Sequence, residues 1–186
     1  MSIGIAVTRR LDASAKVLAI RHGETAWSLN GRHTSTTDIP LTDEGRHLAE
    51  QMWPKLSKLA FALVLVSPMQ RARETCELAG LGNAVIDSDL MEWNYGAYEG
   101  LTPTQIREIS PGWLIFRDGC PGGETPEQVG ARTDRVIARA RAIKGNVALF
   151  AHGDLLACRG LHSTQLLDPE RFVATGASEP DNLGWK

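Results

Sequence analysis

The feature that most constrains this chain is a set of short, unbroken apolar runs, each ending at a polar pair. Residues 17–20 stop at Arg21-His22-Gly23, residues 61–66 at Ser67-Pro68, and residues 147–150 at Ala151-His152-Gly153. Residues 84–86 form a weaker run of the same kind. A strand with one wet face alternates apolar and polar residues. An unbroken run needs cover on both faces, which is the condition of a parallel sheet between two layers of helices.

The intervening segments read as those helices. Thr42 can cap a helix whose first turn carries Asp43 and Glu44 and whose buried stripe is Leu48, Met52, Leu56 and Leu59. Pro54 falls inside that stretch and predicts a kink or an early end. Pro68 suits the first position of a helix running to about Ala79. Thr125 or Pro126 opens another, with Val129, Val136, Ile137 and Ala140 facing inward. No internal repeat, low-complexity tract or linker interrupts the chain. The expected fold class is α/β, a single three-layer α/β/α domain over residues 1–186 with a mostly parallel sheet.

Composition narrows the function. The 186 residues carry a net charge of −2, which argues against a nucleic-acid binder relying on a broad basic surface. Cys76, Cys120 and Cys158 are far apart and form no CxxC pair, so reduced thiols suit them better than a disulfide framework or a zinc site. Arg9 and Arg10 have no apolar segment of a secretion signal behind them, and residues 59–66 are too few to span a bilayer. A cytoplasmic protein is expected, with no membrane partner and no metal or other cofactor. A homodimer is compatible with this sequence.

Open parallel sheets bind ligands at the carboxyl ends of their strands. Arg21 and His22 follow the first run, Arg71 lies within the first turn of the helix after the second, and His152 follows the last. Taken singly, each has an ordinary structural explanation. Two histidines and two arginines meeting at one sheet edge do not, because core packing requires no such thing. The set suits phosphoryl transfer. Guanidinium groups bind phosphate oxygens as forks, a neutral imidazole is a competent nucleophile, and a second histidine, protonated by anionic surroundings, can stabilise the same oxygens. The leaving alkoxide also needs a proton. Residues 91–100, with three aromatics and two glycines, read as an ordered loop that offers Glu92 and Glu99, and spacing does not choose between them.

These residues stand in a recognisable order. Arg21-His22-Gly23-Glu24-Thr25 resembles the RHG(E)(T/S) signature of the histidine phosphatase superfamily, also called phosphoglycerate-mutase-like. Residues 67–75 resemble SPxxRAxxT, residues 92–100 resemble ExxYGx(W/Y)EG, residues 121–125 resemble PGGES, and residues 151–153 resemble (S/A)HG. Residues 113–123 are most similar to the acid phosphatase and sedoheptulose-bisphosphatase branch. The resemblance implies that His22 is the phosphorylated nucleophile, that Arg21, Arg71 and His152 build the phosphate pocket, and that Glu92 is the proton donor. It implies substrate contact from Tyr95 and a pocket lining from Ser28, Thr34 and Ser35, with Glu24 and Glu99 holding loops.

The chain also departs from the pattern. Ser28 and Ser35 replace common Asn and Gly, and Asp154 stands where His is common in that branch, a carboxylate able to offset the cationic pocket. After Gly153 the resemblance implies a long amphipathic helix and then a strand; Gly160 weakens that helix and residues 178–181 would break that strand, so the segment beyond about 160 is atypical. The function expected is a phosphomonoesterase acting on small phosphorylated metabolites, sugar phosphates among them, through a phosphohistidine. The alternatives are a cofactor-dependent phosphoglycerate mutase, for which residues 100–121 leave little room for a substrate-enclosing insertion, and a catalytically weak member acting as a binding protein.

Overall fold

The computed structural model describes the backbone of residues 5–8 and residues 16–158. The features expected beyond Gly160 lie outside the described residues. The strands are β1 (Ile5–Thr8), β2 (Val17–Arg21), β3 (Phe61–Val66), β4 (Val85–Ile86) and β5 (Asn146–Ala151), arranged β1-β2-β5-β3-β4. The four runs read from the sequence are the four parallel strands. Ile5–Thr8, which carried no strand expectation, adds an antiparallel edge to β2. The mostly parallel α/β sheet is therefore present.

Both faces of the sheet are covered, and successive strand residues divide between them. Val17, Ala19, Leu65, Val147, Leu149 and Ala151 face one core with Val129, Val136 and Ala140. Leu18, Ile20, Val66, Ala148 and Phe150 face the other, with Ala49, Leu56, Ala72 and Cys76. This period of two inside unbroken apolar runs is what a doubly covered strand produces. Among the described residues no helix is long and apolar enough to cross a membrane.

The helices are α1 (Ala26–Leu29), α2 (Asp43–Glu50), α3 (Trp53–Leu56), α4 (Gln70–Leu78), α5 (Pro103–Ile109), α6 (Ile115–Asp118), α7 (Pro126–Arg141) and α8 (Gly153–Cys158). Thr42 caps α2 by accepting from the Gly45 N–H, as expected. The Pro54 stretch resolves as a break, with α2 ending at Glu50 and Pro54 in the first turn of the separate α3. Pro68 needs correcting: Met69 is the cap of α4 and Gln70 its first residue, so Pro68 lies in the bend before the helix. Thr125 caps α7, and its side chain and that of Gln128 satisfy each other's backbone N–H groups.

Because β5 lies between β2 and β3, the ends of three strands stand side by side. The His22 N–H donates to the Ala151 carbonyl at 3.0 Å, and the Ser67 N–H donates to the Phe150 carbonyl at 2.9 Å. Backbone pairing alone thus puts residues 22, 67 and 152 on one edge.

Candidate active site

His22 leaves β2 as the chain turns under α2. That turn is tight enough to require glycine, since a Cβ on Gly23 would stand 2.7 Å from the Gly45 carbonyl oxygen. The Gly23 N–H donates to Thr75 Oγ1 at 2.9 Å, and the same hydroxyl donates to the Arg71 carbonyl at 2.7 Å. One threonine therefore ties the first motif to the second. His22 Nδ1 lies 2.7 Å from the Gly23 carbonyl oxygen. A carbonyl only accepts, so Nδ1 carries the proton and Nε2 keeps its lone pair. Burial, then the charges of Arg21 and Arg71, hold the His22 pKa well below the ordinary histidine value, so the ring is neutral at neutral pH.

Arg71 is fully buried on the first turn of α4. Its guanidinium donates to the carbonyls of Thr37, Thr34 and Ser35 at 3.1, 3.2 and 3.1 Å, with the Asp38 carboxylate 3.9 Å away. Arg71 thus shapes the loop after α1 as well as charging the site. His152 lies with its ring centroid 5.1 Å from that of His22, and its Nε2 is 2.8 Å from Ser67 Oγ. The protonated His152 expected from the sequence needs correcting. Burial first, then the neighbouring His22, Arg71, Arg21 and Arg132, hold its pKa well below the usual value. If the Ser67 hydroxyl donates to Nε2, the proton of the neutral ring sits on Nδ1 and is available as a donor.

Arg21 Nε, Arg71 Nε and His152 Nδ1 are buried polar atoms with no hydrogen-bond partner among the described residues. An unmet buried polar atom costs about 1–3 kcal/mol, and buried guanidinium N–H groups left without an acceptor are chemically suited to an anion with several oxygens. Among the described residues no group of three or more His, Cys, Asp or Glu side chains could hold a metal ion.

The structure separates the two carboxylates that spacing left open. Glu99 receives the N–H groups of Ser35 and Thr37 at 2.9 and 3.0 Å, which occupies it in holding the loop. Glu24 likewise receives the Thr42 hydroxyl at 2.9 Å. Glu92 is buried against the start of α8. Its Oε1 accepts from Trp93 and Leu155 N–H at 2.9 and 2.8 Å, and its Oε2 accepts from Asp154 N–H at 3.1 Å. Burial, and next the Asp154 carboxylate, raise its pKa to about 7 despite those three donors. A carboxyl poised there can give up a proton near neutral pH and take one back.

The proposed lining residues fare unequally. Ser28 departs from expectation: its hydroxyl accepts from Thr25 N–H at 2.9 Å and donates to the Thr25 carbonyl at 3.1 Å, so it caps α1. Thr34 turns its hydroxyl to the Arg32 carbonyl at 3.1 Å, and its own carbonyl serves Arg71. Ser35 is buried with its hydroxyl unpartnered among the described residues, beside the Arg71 guanidinium. Tyr95 donates its hydroxyl to Asp154 Oδ2 at 2.6 Å.

Sequence reasoning missed Arg132. It pairs with Glu124 at 2.8 Å and also donates to the carbonyls of Asp89, Met91 and Glu92, gripping the segment that carries Glu92. Glu124 in turn accepts the Asn94 N–H at 2.8 Å, which gives the PGGET motif its physical purpose. The signal was an arginine inside the apolar stripe of α7, three residues after Val129 and four before Val136.

Residues 17–177 match the histidine phosphatase superfamily (branch 1). The chain is 47% identical over 142 residues to an acid phosphatase of Mycobacterium tuberculosis, covering 74% of this chain and 70% of that one. It is 34% identical over 174 residues to a sedoheptulose 1,7-bisphosphatase of Saccharomyces cerevisiae, covering 76% of this chain and 64% of the yeast enzyme. Its fold superposes on the solved structure of an open reading frame of Mycobacterium tuberculosis with a TM-score of 0.75 at 42% identity, covering 81% of this chain and 80% of the other.

Proposed function

The chain belongs to the histidine phosphatase superfamily, branch 1, and from that membership we propose that it hydrolyses phosphate monoesters of small metabolites, sugar phosphates above all, through a phosphohistidine on His22. One observation carries the reading. A neutral His22 with a free Nε2 lone pair lies 5.1 Å from the His152 ring and next to Arg21 in the chain, and Arg21 Nε, Arg71 Nε and His152 Nδ1 are buried polar atoms with no hydrogen-bond partner among the described residues. Such a constellation binds a phosphoryl group and presents a nucleophile to it.

In the first step Nε2 attacks phosphorus and the bond to the ester oxygen breaks. The arginines and His152 hold the equatorial oxygens as charge shifts among them. Glu92 gives its proton to the departing alkoxide and becomes a carboxylate. That carboxylate then takes a proton from water, whose oxygen attacks phosphorus and displaces Nε2, releasing inorganic phosphate and restoring the acid form of Glu92. The two named relatives act on an unspecified ester and on a sugar bisphosphate, which supports sugar phosphates as the class to test. Residues 101–120 form only the short helices α5 and α6, which leaves little chain to enclose a phosphoglycerate and favours water as the acceptor.

Buried Cys76 and Cys120, whose thiol pKa values burial pushes up to about 12, are unreactive and suit a reducing, cytoplasmic setting. The test is phosphate release across a panel of sugar phosphates, phosphoglycerates and an aryl phosphate, with acid-labile, base-stable label trapped on His22. No release from any ester would refute the reading.

A further inference from the structure

The family resemblance gives Glu92 a role but gives none to the carboxylate beside it. Asp154 lies on the first turn of α8, and its side chain receives the Tyr95 hydroxyl at 2.6 Å. His33 Nδ1 is 4.0 Å from the same oxygen, and the His33 ring rests on Tyr95 at 4.5 Å and edge-on to Trp113 at 5.8 Å. The Asp154 N–H holds Glu92 Oε2. Any residue but proline at 154 would supply that N–H, so the aspartate side chain is not needed to anchor Glu92. What it adds is a negative charge, pinned in place by a buried tyrosine. We propose that Asp154 is a positioning residue for Glu92, its fixed charge keeping the proton on that acid until a leaving group takes it.

The proposal rests on the reading of Glu92 as proton donor. The groups around Glu92 divide by sign. The N–H groups of Trp93, Asp154 and Leu155 favour the carboxylate, and so does Arg71 from α4, whose charge couples to it. Arg132 of α7 meets only the Glu92 backbone carbonyl. Against them stand burial, which belongs to the whole site, and Asp154. Tyr95 stays a hydroxyl donor, because burial and then the charges of Asp154 and Glu92 raise its pKa well above the ordinary value. Asp154 is thus the one opposing influence that a single substitution removes.

The test follows the Glu92 carboxyl carbon by ¹³C NMR in the wild type, in Asp154→Asn and in Asp154→Ser, with Glu92→Gln identifying the signal and thermal unfolding showing that each variant is folded. Asparagine keeps an acceptor for Tyr95 and loses the charge; serine is the second neutral variant should asparagine not fold. The Glu92 midpoint should fall by about one pH unit in either variant. At pH 7 the ratio of alkyl to aryl phosphate turnover should then fall roughly fivefold, as the protonated fraction drops. The titration needs no substrate, so it judges the charge effect even in a protein that hydrolyses nothing, whereas failure of the whole panel would refute the phosphatase reading instead. A midpoint that stays put in a folded neutral variant overturns the proposal, and so does a moved midpoint with an unchanged ratio.

Discussion

Replacing Glu92 by glutamine separates proton delivery from binding, and the structure sets the expected sizes. Glu92 Oε1 accepts two N–H groups and Oε2 accepts one. With the amide oxygen at the Oε1 position, Gln keeps the first two bonds and turns its NH₂ toward the Asp154 N–H, losing the third. The cost in stability is about 1–3 kcal/mol, the range for one unmet buried group. The effect on catalysis is larger and selective. An amide cannot release a proton, so turnover of alkyl phosphates should fall roughly 10²–10⁴-fold, whereas nitrophenolate leaves without a proton and its ester should lose far less. Stability supplies a second check. The folded-state pKa of about 7 lies above the ordinary carboxyl value, so the native state favours the protonated form, and the stability that Glu92 contributes is lost as pH rises from that ordinary value through about 7. Glutamine has no such decline, and the stability gap between the two proteins should narrow as pH rises. The assays are steady-state kinetics on both ester types and thermal melts from pH 5 to 8. Equal losses on both esters would refute proton donation and leave Glu92 a binding group.

Four further outcomes follow from the same geometry. His22→Ala should stay folded by circular dichroism while turnover and label trapping disappear; a folded variant retaining most activity would remove the nucleophile assignment. His22 and His152 both have depressed pKa values, so the unfolded chain takes up protons near pH 6.5 that the native state refuses. The stability these two histidines contribute should therefore fall as pH drops below that value, and His22→Asn should weaken that acid-side loss in urea titrations at pH 5 to 7. Arg132→Met leaves Glu124 without its ion-pair partner and frees the Glu92 segment, which should cost about 3–5 kcal/mol in chemical denaturation; a change under 1 kcal/mol would show that the clamp contributes little. Given 3-phosphoglycerate and a trace of 2,3-bisphosphoglycerate, the protein should release inorganic phosphate much faster than it makes 2-phosphoglycerate, and rapid isomerisation without release would favour a mutase.

How much was legible in the sequence depended on whether a residue's role is set by the strand it follows or by what packs on it later. Arg21, His22 and His152 belong to the first kind, since an unbroken apolar run ending in a polar pair fixes the strand end. Glu92 and Glu99 belong to the second. Both sit in a loop, and only the third dimension sends Glu99 to the N–H groups of Ser35 and Thr37 and Glu92 to those of α8. Ser28 misled because hydroxyls serve caps as readily as ligands, and here Thr25 stands three residues earlier. The charge state of His152 was illegible for a related reason. It depends first on burial and then on His22, Arg71, Arg21 and Arg132, most of which lie far from it along the chain.

The position of β5 has a consequence for how the protein comes into being. Asn146–Ala151 fills the middle of the sheet, yet in sequence it is the last of the five described strands. Until it leaves the ribosome, β2 and β3 lack the partner that joins them, and each offers the nascent chain an unpaired apolar edge. Long-range parallel pairing of this kind is slow and prone to association. The central strand should therefore act as a keystone in biosynthesis: residues 17–86 stay loosely organised until it inserts, and His22 and His152 come within reach of each other only at that moment. A chain released before residue 146 would then be a client for chaperones and not a weakened enzyme.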